Sequence, residues 1–154
     1  MQGVSTLGGG CMAEEPHTDE LLRRLLASAS PESYLNTIEP EDRTLSEYLF
    51  SLLREKGLSR SAVFEAAGID RTHGYQVFEG TRKIGRDRAI MLAFGLRCTI
   101  QETQRLLRFA GVSELWCKVR RDAIIIYCIE HGFDRVTCDD MLFRMGECTL
   151  LPED

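Results

Sequence analysis

Apolar residues recur three and four positions apart along most of this chain, and the segments with that rhythm are separated by short polar stretches edged with Gly, Ser, Thr or Asp. The period predicts helices throughout. Between residues 45 and 110 it predicts five, joined by short loops. The first covers Leu45–Lys56, with Leu45, Tyr48, Leu49, Leu52 and Leu53 on the inner stripe and Gly57 as its stop. The second covers Arg60–Ala67, capped by Ser59, with Val63 and Phe64 inward and Gly68 closing it. The third runs from 71 to 78 between the cap Asp70 and the stop Gly80. The fourth runs from 86 to 94 and offers Ala89, Ile90, Leu92 and Ala93 to a core. Thr99 and Glu102 form a capping box for the fifth, which ends at Ala110-Gly111.

Both flanks carry the same period. Upstream, Thr18-Asp19-Glu20 opens a short amphipathic helix with Leu21, Leu22, Leu25 and Leu26 on one stripe, and Ser30-Pro31-Glu32 opens another that buries Tyr34, Leu35 and Ile38 before Pro40 ends it. Downstream, residues 120 to 130 hold three consecutive isoleucines and predict a largely buried helix, with a strand over 124 to 127 as the lesser alternative. Thr137 with Asp140 predicts the start of a last helix carrying Met141, Leu142 and Met145. The expected class is therefore all-α, divided into a flexible tail over 1–17, an acidic helical extension over 18–44, the five-helix domain over 45–110 and a C-terminal helical extension over 111–150 packed on the core. The tail is Gly-, Ser- and Thr-rich with no hydrophobic period, and Met12 is an alternative start to Met1.

Composition adds limits. A chain of 154 residues has the length of one domain with extensions, and 44% hydrophobic with 28% charged residues is ordinary for a folded globular protein. The longest apolar run, seven residues over 123 to 129, is far short of the roughly 20 that span a bilayer. With no basic, apolar leader at the N-terminus, a cytoplasmic protein without a membrane partner is expected. Six cysteines, Cys11, Cys98, Cys117, Cys128, Cys138 and Cys148, show no Cys-x-x-Cys spacing and are read as reduced structural thiols, with neither metal nor cofactor expected.

Charge is distributed unevenly. The net −5 divides into −5 over residues 1–44, +4 over 45–110 and −4 over 111–154, so a basic centre lies between acidic ends. Four cations, Arg82, Lys83, Arg86 and Arg88, fall within the eight residues 81 to 88 and lead into a helix N-terminus, a combination suited to phosphate.

Between Leu58 and Gly80 the residues LSRSAVFEAAGIDRTHGYQVFEG resemble the helix-turn-helix of the phage-repressor and Cro class of DNA-binding proteins. The likeness lies in the leucine-serine helix entry, Gly68 in the turn, the apolar Ile69 directly after it, and the Phe78-x-Gly80 close, with five helices around them. From about Asp19 to Gly146 the chain is also similar to a group of bacterial helix-turn-helix proteins that add an acidic N-terminus and a C-terminal Arg-Arg-Asp-apolar helix. The resemblance implies a five-helix repressor-like domain that docks on double-stranded DNA as a transcriptional regulator, without catalysis. It places Arg71, Thr72, His73, Tyr75 and Gln76 at base edges, where arginine reads guanine and glutamine reads adenine. It places Ser59, Arg60, Arg82, Lys83, Arg86 and Arg88 at phosphates. A homodimer suits a symmetric site, with the Leu21 to Leu26 stripe and the Ile124 to Ile129 helix as candidate self-association surfaces; completion of one core accounts for both and is preferred.

Two residues depart from the class pattern. Phe64 stands where a small residue is usual, with Ala66 and Ala67 as candidate compensation, and Gly74 stands among the positions expected to face the groove, where it allows close approach to DNA. The rival reading is a protein-interaction or adaptor module, or an antitoxin-like protein, that keeps the scaffold and engages a partner through the acidic flanks. Enzymatic readings are disfavoured, since His17, His73 and His131 accompany no nucleophile or metal spacing and no phosphate-loop or nucleophile-elbow motif is present.

Overall fold

The structure is a computed structural model that describes residues 18–38 and 43–152. Among these residues there are nine helices and no strand, and they divide into two compact units between Asp42 and Arg43. No helix among them is long and apolar enough to cross a membrane. The tail over 1–17, including Cys11 and His17, and the expected stop at Pro40 lie outside the described residues.

The first unit holds α1 (Thr18–Ala27) and α2 (Pro31–Leu35). Ser30 caps α2 as expected, its hydroxyl accepting from the Ser33 amide at 3.1 Å with Pro31 at the first helical position. Tyr34 is buried, but Leu35 is exposed, because a helix of five residues turns only one narrow face inward. Leu22, Leu25 and Leu26 of the α1 stripe are exposed as well.

The second unit runs through α3 (Leu45–Lys56), α4 (Arg60–Ala67), α5 (Arg71–Glu79), α6 (Arg86–Gly95), α7 (Ile100–Phe109), α8 (Arg120–Glu130) and α9 (Arg135–Arg144). Each of α3, α4 and α5 ends on a glycine in the left-handed region followed by an apolar or small residue, and α4 and α5 start on the expected caps Ser59 and Asp70. Thr44 and Glu47 add a capping box to α3 that matches the one formed by Thr99 and Glu102 on α7. The core gathers Leu49 and Leu52 of α3, Val63 and Phe64 of α4, Val77 and Phe78 of α5, Ala89 to Phe94 of α6 and Leu106 and Leu107 of α7. α6 is the centre of this core, and it meets α4 closely at Gly95, where an added Cβ would lie 2.5 Å from the Val63 carbonyl oxygen.

The C-terminal extension belongs to the same unit. Ile124 and Ile125 of α8 and Leu142 of α9 are buried in the shared core, and residues 124 to 127 are helical, which overturns the strand alternative. The last helix begins earlier than the sequence suggests. Gly132 ends α8 with a positive φ, and the Asp134 carboxylate accepts from the Thr137 amide at 2.8 Å, so Thr137 is in the first turn of α9 instead of capping it. Met145, expected on the last helix, is its C-cap and is exposed. Cys98, Cys128 and Cys138 are buried, whereas Cys117 and Cys148 are exposed. Burial pushes the thiols of Cys98 and Cys138 far up, which keeps them protonated and unreactive.

Arg97, between α6 and α7, is the one described non-glycine residue in the left-handed region, at φ 56°. A side chain there costs about 1 kcal/mol. Arg97→Gly is expected to stabilise the protein by that amount, because the bond from the Lys56 ammonium goes to the Arg97 backbone carbonyl and survives the change. A rise in the urea midpoint at constant m-value checks it.

Candidate nucleic-acid interface

α4 and α5 form a pair held by aromatic rings. The Phe64 ring, fully buried, meets Tyr75 edge-on at 5.1 Å and Phe78 at 5.5 Å. What makes room for it is Gly74: an added Cβ there would be 2.6 Å from the Phe64 ring. The expectation that Gly74 faces a groove is therefore wrong, and so is the assignment of compensation to Ala66, which is exposed. Gly74 is buried against Phe64, and the two departures from the class pattern are one paired feature.

With Gly74 turned inward, the opposite side of α5 is outward. Arg71 and Thr72 are exposed in its first turn, and His73, Tyr75 and Gln76 are half-buried. Asp70 holds the start of the helix, its carboxylate accepting from the His73 amide at 3.2 Å. Tyr75 is only partly committed to the core, and the Arg60 guanidinium lies over its ring at 4.7 Å and over Phe50 at 5.6 Å. This brings the first residue of α4 to the flank of α5. Ser59 is used as a cap, accepting from the Ala62 amide at 3.2 Å.

The loop between α5 and α6 folds back onto α5. The Thr81 hydroxyl donates to the Gln76 carbonyl at 3.2 Å, and the Arg82 guanidinium approaches the Gln76 side-chain oxygen at 3.4 Å. Ile84 anchors the loop in the core, while Arg82, Lys83 and Arg88 remain exposed. The imidazole of His73 registers the convergence: burial first, then the positive charges of Arg82 and Arg88, hold its pKa below the ordinary histidine value. Its Nε2 atom is buried without a hydrogen-bond partner. The imidazole is accordingly neutral at pH 7, beside two cations. Among the described residues none of Arg71, Arg82, Lys83 or Arg88 has an ion-pair partner, so their charge is directed to solvent.

Arg86 does not join this face. Its guanidinium donates to the carbonyls of Ser113 at 2.9 Å and Glu114 at 3.0 Å, and pairs with the buried carboxylate of Asp122 at 2.8 Å. The expected phosphate contact is corrected for a physical reason: Asp122, nearly sealed from water, needs a fixed counter-charge, and Arg86 supplies it. Asp87, in the first turn of α6, pairs with Arg121 at 2.9 Å. Sequence reasoning missed Asp122 and Arg121. The signal available was the Arg-Asp pair that opens both α6 and the first full turn of α8.

Among the described residues no group of three or more His, Cys, Asp or Glu side chains is placed to hold a metal ion. No protein-family model matches the chain, and neither the curated proteins nor the solved structures include a match.

Proposed function

We propose that residues 43–152 bind double-stranded DNA, with α5 as the helix that enters the major groove of a repressor-type helix-turn-helix and α4 crossing the backbone, and that the protein regulates transcription without catalysing a reaction. The observation that carries this reading is that the loop after α5 folds back on it, with Arg82 at the Gln76 side chain and Arg82, Lys83 and Arg88 exposed and without ion-pair partners among the described residues. A solvated helix face has no need of cations folded back onto it, whereas a groove-reading helix is flanked by phosphates on both sides. Arg71, Thr72 and Gln76 are the base-reading side chains, with His73 and Tyr75 shaping the edge of the surface. Arg82, Lys83 and Arg88 take phosphates, and Ser59 and Arg60 present the start of α4 to the backbone. Two copies on a symmetric site are the expected arrangement.

The rival interaction module is favoured by one feature of the C-terminal extension: Val136, Phe143 and Leu151 are exposed and line a shallow groove beside α9. Duplex binding across a salt series separates the two. Arg82→Ala/Arg88→Ala is expected to weaken binding to every sequence and reduce the salt slope by about 2, one for each phosphate no longer neutralised. Arg71→Ala/Gln76→Ala is expected to flatten sequence preference, at about 1–3 kcal/mol for each base pair read. Absence of duplex binding at low salt by the folded wild-type protein would reject the DNA reading and leave the interaction module.

A further inference from the structure

We infer that residues 121–151 are a second copy of the hairpin formed by residues 86–116, displaced by 35 positions, and that the face of α6 and α7 is an interaction surface whose partner is this second copy, supplied within the same chain. Few side chains repeat: Arg86, Asp87, Ile90, Leu107, Gly111 and Leu115 recur as Arg121, Asp122, Ile125, Leu142, Gly146 and Leu150. The geometry repeats almost position by position.

In the first copy α6 ends with the Cys98 amide bonded to the Ala93 carbonyl at 3.0 Å across left-handed Arg97; in the second, Phe133 bonds to Cys128 at 3.0 Å across left-handed Gly132. Thr99 caps α7 through the Glu102 amide, and Asp134 caps α9 through the Thr137 amide. Both second helices are ten residues long and end at glycines of φ 76° and 80°, Gly111 and Gly146. The chain then doubles back and is gripped by the same position of each second helix. Gln104 accepts from the amide of buried Leu115 at 2.8 Å, and Asp139 accepts from the amide of buried Leu150 at 2.7 Å. The leading arginine of each copy closes its own hairpin: Arg86 donates to the carbonyls of residues 113 and 114, and Arg121 to those of residues 148 and 149.

The two copies also meet reciprocally. Arg86 forks onto Asp122 at 2.8 and 3.2 Å, and Arg121 forks onto Asp87 at 2.9 and 3.1 Å. α6 packs on α9, and α7 on α8. Residue one of each copy on residue two of the other, with first helix on second helix both ways, is the signature of an isologous, twofold pairing. The second copy thus covers in cis a self-complementary face of the first. It also reaches the α4–α5 turn, where a Cβ added at Gly68 would lie 3.0 Å from Nε of Arg135.

Transplanting equivalent residues in the full-length chain tests the equivalence. Asp139→Gln alone leaves Arg135, which pairs with Asp139 at 2.7 Å, without a carboxylate, and is expected to lower Tm by about 5 °C or more. Adding Arg135→Ile installs the first copy's Ile100 and Gln104 together, and Tm is expected to return to within about 2 °C of wild type. By hydrogen exchange the Leu150 amide is expected to stay protected in that double variant, as the Leu115 amide bonded to Gln104 is expected to be, and to lose protection in Arg135→Ile/Asp139→Ala. A double transplant no more stable than Asp139→Gln, or a Leu150 amide equally protected with alanine at 139, would overturn the inference. None of these residues is assigned to DNA, so the result does not depend on whether duplex binding is found.

Discussion

Asp122→Ala is expected to remove about 3–5 kcal/mol of folding stability, the penalty of breaking a buried ion pair from one side. The carboxylate is 3% exposed and takes three donors: both arms of Arg86, and the Trp116 amide at 2.9 Å. Truncation leaves the Arg86 charge, about a quarter exposed, among carbonyls it cannot neutralise, and frees a backbone amide that has no other acceptor at that place. Replacing the pair together, as in Arg86→Met/Asp122→Leu, is expected to recover more than half of the loss, since exchanging both charges for apolar groups removes the desolvation cost with the attraction. Urea denaturation of wild type, Arg86→Met, Asp122→Leu and the double variant measures the coupling, with Asp122→Ala measured beside them. A loss below about 1 kcal/mol for Asp122→Ala would place Arg86 and Asp122 with ordinary surface pairs.

The same residues show what the sequence can and cannot disclose. Local signals are legible one residue at a time: Thr99 with Glu102, Ser59, Asp70, Gly57, Gly68 and Gly80 mark helix ends because each satisfies or relieves its own backbone. The bounds of α3 and α4 are accordingly those expected. Asp134 is the exception, because it and Thr137 are both residue types that cap helices and only the position of Gly132 decides between them. Burial along α6 is legible too, as the apolar run after Ala89. Charge is different. Nothing local distinguishes Arg86 from Arg82 or Arg88, all in one basic segment, yet Arg86 is bound to a carboxylate 36 positions away while the other two face solvent. A side chain's partner across the fold is set by the packing of α6 on the C-terminal hairpin, which periodicity does not encode. The duplication of that hairpin is hidden for a related reason: capping, left-handed turns and the backbone grip at 104 and 139 repeat as geometry while most residue types differ.

Gly74 is where the local rule and the fold conflict most sharply. In a helix interior glycine costs about 1 kcal/mol relative to alanine, so Gly74→Ala read locally should stabilise α5. The expected effect has the opposite sign. A Cβ at 74 would lie 2.6 Å from the Phe64 ring, which is buried edge-on against Tyr75 and Phe78. Overpacking of this kind costs about 1–3 kcal/mol, enough to outweigh the propensity gain. Phe64→Ala is expected to cost about 3–5 kcal/mol by leaving a cavity between α4 and α5. The decisive variant is Phe64→Leu/Gly74→Ala, in which a smaller side chain meets a larger one and α5 gains its helical alanine. It is expected to be more stable than either Phe64→Leu or Gly74→Ala alone, with duplex affinity close to wild type because position 74 is turned away from the proposed DNA face. If Gly74→Ala instead stabilises the protein while weakening DNA binding, glycine at 74 serves the approach of DNA and not the Phe64 ring.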